Sequence, residues 1–169
     1  SEVYAGDRKA GSLRLVLPLY PELSGQAMVG KTPIEFTAKD GLKIKGYLAL
    51  PRGNRPEAGW PMVLMPHGGP FWEDSRDFDP WAELLASRGY AVLQVNFRGS
   101  TSEGLSFVRA GLQKWGLEMQ DDLTDGVHWA IAEQHVDPRK ICVAGASFGG
   151  YAALMGAVKT PDLYRCAVS

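Results

Sequence analysis

The chain has 169 residues, with 18 Lys and Arg against 19 Asp and Glu, a formal charge of −1 and 45% hydrophobic residues. This is a globular composition with enough apolar side chains for one sizeable core, which excludes disorder, collagen and coiled coil. There is no basic excess to hold a phosphate backbone and no apolar run long enough to span a bilayer, so the expected partner is a small molecule or peptide, with no nucleic acid and no membrane.

The first predicted element is a short hairpin from Val3 to Val16, turning at Lys9, Ala10, Gly11 and Ser12. A lone hairpin is marginal in water, so this one reads as the end of something larger. Pro18 to Gly25 then reads as a linker. The expected division is residues 1–29 as the end of a preceding domain plus linker, and 30–169 as a second unit. Within the second unit, Ile34 to Ala38 and Leu42 to Leu50 alternate in polarity around Asp40-Gly41, the signature of an antiparallel hairpin.

After a loop rich in Pro and Gly the pattern changes to short continuous apolar runs separated by amphipathic stretches. Strands are expected at Met62 to Met65, Ala91 to Val95, Ile141 to Ala144 and from Cys166 to Val168. Helices are expected at Trp81 to Arg88, closed by Gly89, at Asp121 to His135, and at Phe148 to Val158. The fold class is therefore α/β, a mixed and mostly parallel sheet with an antiparallel start and helices on both faces. The two cysteines, Cys142 and Cys166, cannot make a disulfide framework, and each lies in an apolar segment where a buried thiol is the usual reading. The five tryptophans are dispersed and are expected in the core or a pocket wall.

The sharpest chemical signal is Gly145-Ala146-Ser147-Phe148-Gly149-Gly150, set between an apolar strand and a helix of small residues. It reads as G-x-S-x-G in the strand-turn-helix context that a nucleophilic serine needs. Ser147 would occupy a strained turn, and a Cβ two residues before or after it would clash with the neighbouring strand or helix. The second signal, Pro66-His67-Gly68-Gly69-Pro70, follows the strand at Met62 to Met65 and should open onto the same crevice as Ser147. Its glycines allow close backbone approach to a ligand, and the backbone N–H groups of Gly69 and Phe148 are the candidate oxyanion donors. His67, with Gly68, is assigned to support of that loop rather than to general base, because the base must reach Oγ from the other side of the nucleophile.

These two motifs, with Asp40-Gly41-Leu42-Lys43-Ile44, Asn96-Phe97-Arg98-Gly99-Ser100 and the Trp115-Gly116 to Asp121-Asp122 segment, occur in an order that resembles the prolyl oligopeptidase family of serine peptidases. His-Gly-Gly-Pro and Gly-x-Ser-x-Gly-Gly-Tyr are most similar to its acylaminoacyl-peptidase-like branch. The resemblance covers residues 30–169 and implies an α/β-hydrolase catalytic domain preceded by a β-propeller, whose last strands the opening hairpin would be. It also implies Ser147 as nucleophile and no cofactor or metal. Tyr151 is assigned to packing, and Arg98 to tying loops together by bidentate hydrogen bonds.

In this fold the triad runs Ser, then Asp or Glu, then His, yet no histidine follows Ser147. Asp162 reads as a turn residue, and His128 and His135 as helix-surface or cap residues. The sheet, too, is expected to continue past the strand at Cys166, so the chain reads as truncated after the nucleophile helix, with the triad Asp and His in a missing C-terminal part of the same protein. The 169 residues alone are expected to be inactive. Glu73 to Asp79 reads as a solvated acidic loop, and Asp121, Asp122 and Asp125 as charges favouring a helix start. The sequence reading is thus a peptidase cleaving peptides or acyl-peptides through an acyl-enzyme. A carboxylesterase or lipase-like hydrolase and a non-catalytic fragment are its alternatives, with compartment and homo-oligomerisation left open.

Overall fold

The computed structural model describes residues 2–23 and 28–169. β1 (Glu2–Asp7) and β2 (Ser12–Pro18) pair antiparallel through the expected turn and form a sheet of their own, with Leu13, Leu15 and Leu17 exposed. A 3-10 turn at Pro21–Leu23 follows, and the rest of the expected linker, at Ser24 and Gly25, lies outside the described residues.

The second sheet has six strands in the order β3-β4-β6-β5-β7-β8. β3 (Thr32–Thr37) and β4 (Lys43–Ala49) are the predicted hairpin, and β4 also runs antiparallel to β6 (Ala91–Asn96). β5 (Trp60–Leu64), β6, β7 (Val136–Ala144) and β8 (Cys166–Val168) are mutually parallel. The helices are α1 (Pro80–Ser87), α2 (Leu105–Ala110), α3 (Glu118–Gln134) and α4 (Phe148–Lys159).

Every residue of β6 is buried, and its alternation divides the core. Val92 packs with Ala49 and with Ala82 and Ala86 of α1, whereas Leu93 and Val95 join the larger cluster with Leu123 and Val127 of α3 and Ala152 and Ala153 of α4. The chain steps from β5 to β6 through α1, then returns past β5 to β7 through α3. Crossovers keep one hand, so this reversal puts α1 on the face opposite α3 and α4. It also leaves a crevice between the carboxyl ends of β5 and β7, where the two sequence motifs begin.

Several boundaries move. β7 starts at Val136, directly after His135 closes α3 in the left-handed region at φ 55° and ψ 47°. α3 starts at Glu118, a turn before Asp121, with a 2.6 Å Lys114–Glu118 ion pair across its entry. α2 went unread because its six residues show too little periodicity and its N-cap, Gly104, has no side chain to announce it. The expectation of two thiols is corrected. Cys142 and Cys166 are register partners on β7 and β8, with Cα atoms 4.7 Å apart, and they form a disulfide. Of the tryptophans, Trp60 is in the core and Trp129 packs against it, while Trp72, Trp81 and Trp115 are exposed.

Candidate active site

β7 ends at Ala144 and α4 begins at Phe148, so the chain reverses over three residues. Ser147 takes φ 57° and ψ −125°, a conformation L-residues rarely adopt and one that costs about 1–3 kcal/mol. Its side chain makes no cap hydrogen bond to the helix, and the residue is exposed, so Oγ stands clear at the helix start. Gly145 and Gly149 are sterically required, while at Gly150 a Cβ would have to push aside the Ser169 side chain. A Cβ on Gly145 would lie 2.5 Å from the Gly149 carbonyl carbon, and one on Gly150 2.7 Å from Ser169 Oγ. A Cβ on Gly149 would fall on the carbonyl oxygen of Pro66. The turn at Ser147 and the Pro66–Pro70 loop are therefore packed backbone to backbone.

That contact sets the loop beside Ser147. A Cβ on Gly68 would meet Ser147 Cβ at 3.5 Å and Ser147 Oγ at 4.0 Å, so the Gly68 backbone borders the Ser147 side chain directly. Gly69 has φ 117°, and any Cβ there would lie 2.6 Å from the Phe71 nitrogen. His67 Nδ1 lies 2.7 Å from the Gly68 carbonyl oxygen. That oxygen only accepts, so Nδ1 carries a hydrogen and donates. In a trans peptide the C=O and the following N–H point opposite ways, so a bond that fixes the Gly68 carbonyl also fixes the direction of the Gly69 N–H. The first N–H groups of α4, Phe148 included, have no partner within the helix.

The His67 ring is buried, stacks on Phe97 at 4.4 Å, and has Nε2 2.9 Å from Ser100 Oγ. Burial pushes its pKa below the ordinary value, while the Gly68 carbonyl and the Glu73 charge pull the other way. Burial favours the neutral ring with Nδ1–H donating to Gly68, and the one Ser100 hydroxyl hydrogen is then shared between Nε2 and the Phe97 carbonyl, which lies 2.6 Å from Ser100 Oγ. His67 thus spends both nitrogens on the loop and on Ser100. Aromatic contacts continue from Phe97 to Phe148 (5.5 Å), and from Phe148 to Trp115 (5.1 Å) and Tyr151 (5.6 Å), which gives Tyr151 its packing role.

Arg98 leaves the end of β6 and holds three segments together. Its Nε and Nη2 donate to Asp122 at 2.8 and 2.6 Å, its backbone N–H donates to Asp122 at 2.8 Å, and Nη1 donates to Asp40 at 2.7 Å. The Asp122 partnership raises the Arg98 pKa beyond its ordinary value, and the Arg98 hydrogen bond holds the Asp40 carboxyl below the usual carboxylate range. Asp122 is fully buried, which corrects its reading as a helix-start charge. The reading of Glu73 to Asp79 as a solvated loop is corrected too. Asp79 caps α1 by accepting from Trp81 and Ala82 N–H, and a buried Asp74 carboxyl oxygen sits against β6. No local pattern distinguishes Asp74 or Asp122 from a solvated acid, because their partners are remote in sequence, whereas Asp79 directly before Pro80 carried a local N-cap signal that went unread. Asp162 lies exposed in the turn after α4, and His128 and His135 are exposed on α3 and at its end. Among the described residues no three His, Cys, Asp or Glu side chains are grouped to hold a metal, and no helix is long and apolar enough to cross a membrane.

Residues 76–169 match the model of the prolyl oligopeptidase family. The chain is 40% identical to dipeptidyl aminopeptidase BIII of Pseudoxanthomonas mexicana over 171 residues, which covers 98% of this chain and 25% of that protein. Its fold superposes on the Pyrococcus horikoshii acylaminoacyl peptidase with a TM-score of 0.83 at 26% identity, covering 97% of this chain and 26% of the other. A puromycin hydrolase structure gives 0.84 at 28% identity, covering 98% and 26%. The chain thus spans about a quarter of the length of these relatives. With the elbow serine, the glycine loop beside it and the mostly parallel sheet of an α/β-hydrolase, these likenesses establish that the chain belongs to the prolyl oligopeptidase family of serine peptidases.

Proposed function

We propose that this chain supplies the nucleophile and oxyanion site of a serine peptidase that cleaves peptides or acyl-peptides through an acyl-enzyme. The observation that carries the reading is Ser147 in its strained turn with the Gly68 backbone against it. Ser147 Oγ adds to the substrate carbonyl carbon and gives its proton to a histidine base. The carbonyl oxygen becomes an oxyanion, stabilised by the N–H groups of Phe148 and Gly69, donors that are in position before charge develops. Collapse expels the amine, which takes the proton from the base, and water then releases the acyl group by the reverse sequence. His67 supports this by holding the Gly68 carbonyl and, through it, the Gly69 N–H. The relatives' names, dipeptidyl aminopeptidase and acylaminoacyl peptidase, support peptides with a short or blocked amino end as the substrate class.

With His67 engaged elsewhere, and His128 and His135 out on α3, the base is not among the histidines of this chain, so the 169 residues by themselves are expected to turn over no peptide. A boundary near residue 30 is also proposed, with the β1–β2 sheet belonging to a preceding propeller-type domain; its separation from the six-stranded sheet supports this. The test of the main proposal is fluorophosphonate labelling of the full-length protein with mass mapping of the adduct, alongside cleavage of dipeptidyl and N-acyl chromogenic substrates. An adduct on Ser147, lost with cleavage in Ser147→Ala, is expected; an adduct elsewhere, or unchanged cleavage in that variant, overturns the proposal.

A further inference from the structure

The face of β6 that turns toward α1 is apolar at Val92 and then carries two amides, Gln94 and Asn96, both 3% exposed. No helix covers them. The segment Pro70–Asp79, which continues directly from Gly69, lies over them, and the amides hold it. Asn96 grips the Asp74 backbone at both ends: its Oδ1 accepts the Asp74 N–H at 2.8 Å and its Nδ2 donates to the Asp74 carbonyl at 3.0 Å. Gln94 Nε2 donates one hydrogen to Asp74 Oδ1 at 3.0 Å and the other to Asp79 Oδ2 at 2.8 Å. These two acceptors fix the orientation of the Gln94 amide, since flipping it would set its oxygen against two carboxylate oxygens.

Two buried atoms remain without a partner, Asp74 Oδ2 and Gln94 Oε1. Both are acceptors if Asp74 is ionised, and leaving two buried polar atoms unmet is costly. They belong to two groups already joined by the 3.0 Å Nε2–Oδ1 bond. One proton on Oδ2, donated to Oε1, gives both a partner and closes the ring of an acid–amide pair.

We infer that Asp74 is held as the neutral carboxylic acid in a cyclic pair with the Gln94 amide, and that this pair is a positioning device for the Pro70–Asp79 segment that anchors the oxyanion loop. The proposal's catalytic consequence rests on the peptidase reading of Ser147; the pair itself does not. The charged surroundings agree. Burial pushes the Asp74 carboxyl up to about 7, Lys31 opposes this, and the Asp79 charge adds to it. From β4, Tyr47 is the register partner of Gln94 and carries the Lys31 ammonium 5.6 Å over its ring, and β6 itself presents only the neutral Gln94 and Asn96. Because the folded-state value lies above the ordinary 3.8, the contribution of the pair is fully present below that value and is lost as pH rises through about 7.

The test uses the full-length protein, with hydrogen exchange of residues 70–79 corrected for intrinsic rates and kcat and KM measured from pH 5.5 to 8.5, in wild type, Asp74→Asn and Asp74→Ala. Asn at position 74 reproduces the neutral acid, one acceptor and one donor, at every pH. Wild-type protection of the segment is expected to fall as pH rises from 5.5 to about 7 and to level off above it, whereas Asp74→Asn keeps it throughout. In Asp74→Asn, kcat should stay within about twofold of wild type at pH 6 and exceed it at pH 8.5, with KM little changed. Asp74→Ala should stay about tenfold below Asp74→Asn in kcat at every pH. Parallel pH dependence of protection in wild type and Asp74→Asn, or Asp74→Asn as poorly protected as Asp74→Ala at pH 6, overturns the inference. If Ser147 takes no phosphonate label and no substrate is cleaved, the peptidase reading fails, while the exchange data still decide whether the acid–amide pair exists.

Discussion

A Cβ on Gly149 would fall on the carbonyl oxygen of Pro66, so the first turn of α4 and the root of the Pro66–Pro70 loop touch through bare backbone. Neither can shift to admit a methyl group without moving the other. Gly149→Ala in the full-length protein is therefore expected to cost about 1–3 kcal/mol in denaturant unfolding. It should also slow fluorophosphonate labelling of Ser147 by at least about tenfold. Labelling at the wild-type rate would mean that the contact does not hold the two elements in place.

Strain at Ser147 gives a second expectation. Glycine adopts φ 57° with ψ −125° at little cost, and alanine does not. Ser147→Gly should be more stable than Ser147→Ala by about 1–2 kcal/mol, with both variants refractory to the serine probe. Equal unfolding midpoints would show that the surrounding structure relaxes the turn once the hydroxyl is gone.

The Arg98 cluster separates a buried from an exposed ion pair. Asp122→Ala strands a guanidinium that is almost wholly covered and should cost about 3–5 kcal/mol, whereas the half-exposed Asp40 can become Asn with a much smaller loss. Because Arg98 depresses the Asp40 pKa, the Asp40 contribution is present above the ordinary carboxylate value and fades as pH falls through the lower folded-state one. Chemical denaturation at pH 7 and at pH 3 checks both statements.

His67 has a pH signature of the opposite sense. Its folded-state pKa lies below the ordinary 6.5, so the unfolded chain takes up the proton first, and stability falls as pH drops below 6.5. His67→Ala should lessen that acid dependence while lowering kcat by about ten- to a hundredfold with little change in KM, because the Gly69 donor would be misaimed in the transition state. A rise in KM at constant kcat would point instead to a substrate-binding role.

What the sequence disclosed follows the range of each constraint. The elbow and the glycine loop were legible because their requirements, small residues at fixed offsets beside a strand end, are written into adjacent positions. The hairpin at Asp40-Gly41 and the Gly89 stop of α1 were legible for the same reason. Asp122 and Asp74 were not, since each is defined by a partner more than a turn or a strand away, and a carboxylate beside Arg98 looks in sequence like any helix-start acid. The Cys142–Cys166 bridge likewise depends on β7 and β8 being neighbours in phase, which needs the register and not the composition.

One further attachment lies just ahead of β3. Glu83 of α1 accepts the Val29 N–H at 2.7 Å and the Gly30 N–H at 3.3 Å, Arg52 reaches the Met28 carbonyl, and the Tyr20 and Phe78 rings meet at 5.0 Å. The chain arriving from the hairpin is hitched to α1 and to the loop before it, ahead of its entry into β3. A pull on the hairpin is therefore borne first by the helix that Asp79 caps, the same Asp79 that shares the Gln94 amide with Asp74. Mechanical load on the amino-terminal sheet would be delivered to the back of the oxyanion loop before it reached the ladder of the main sheet.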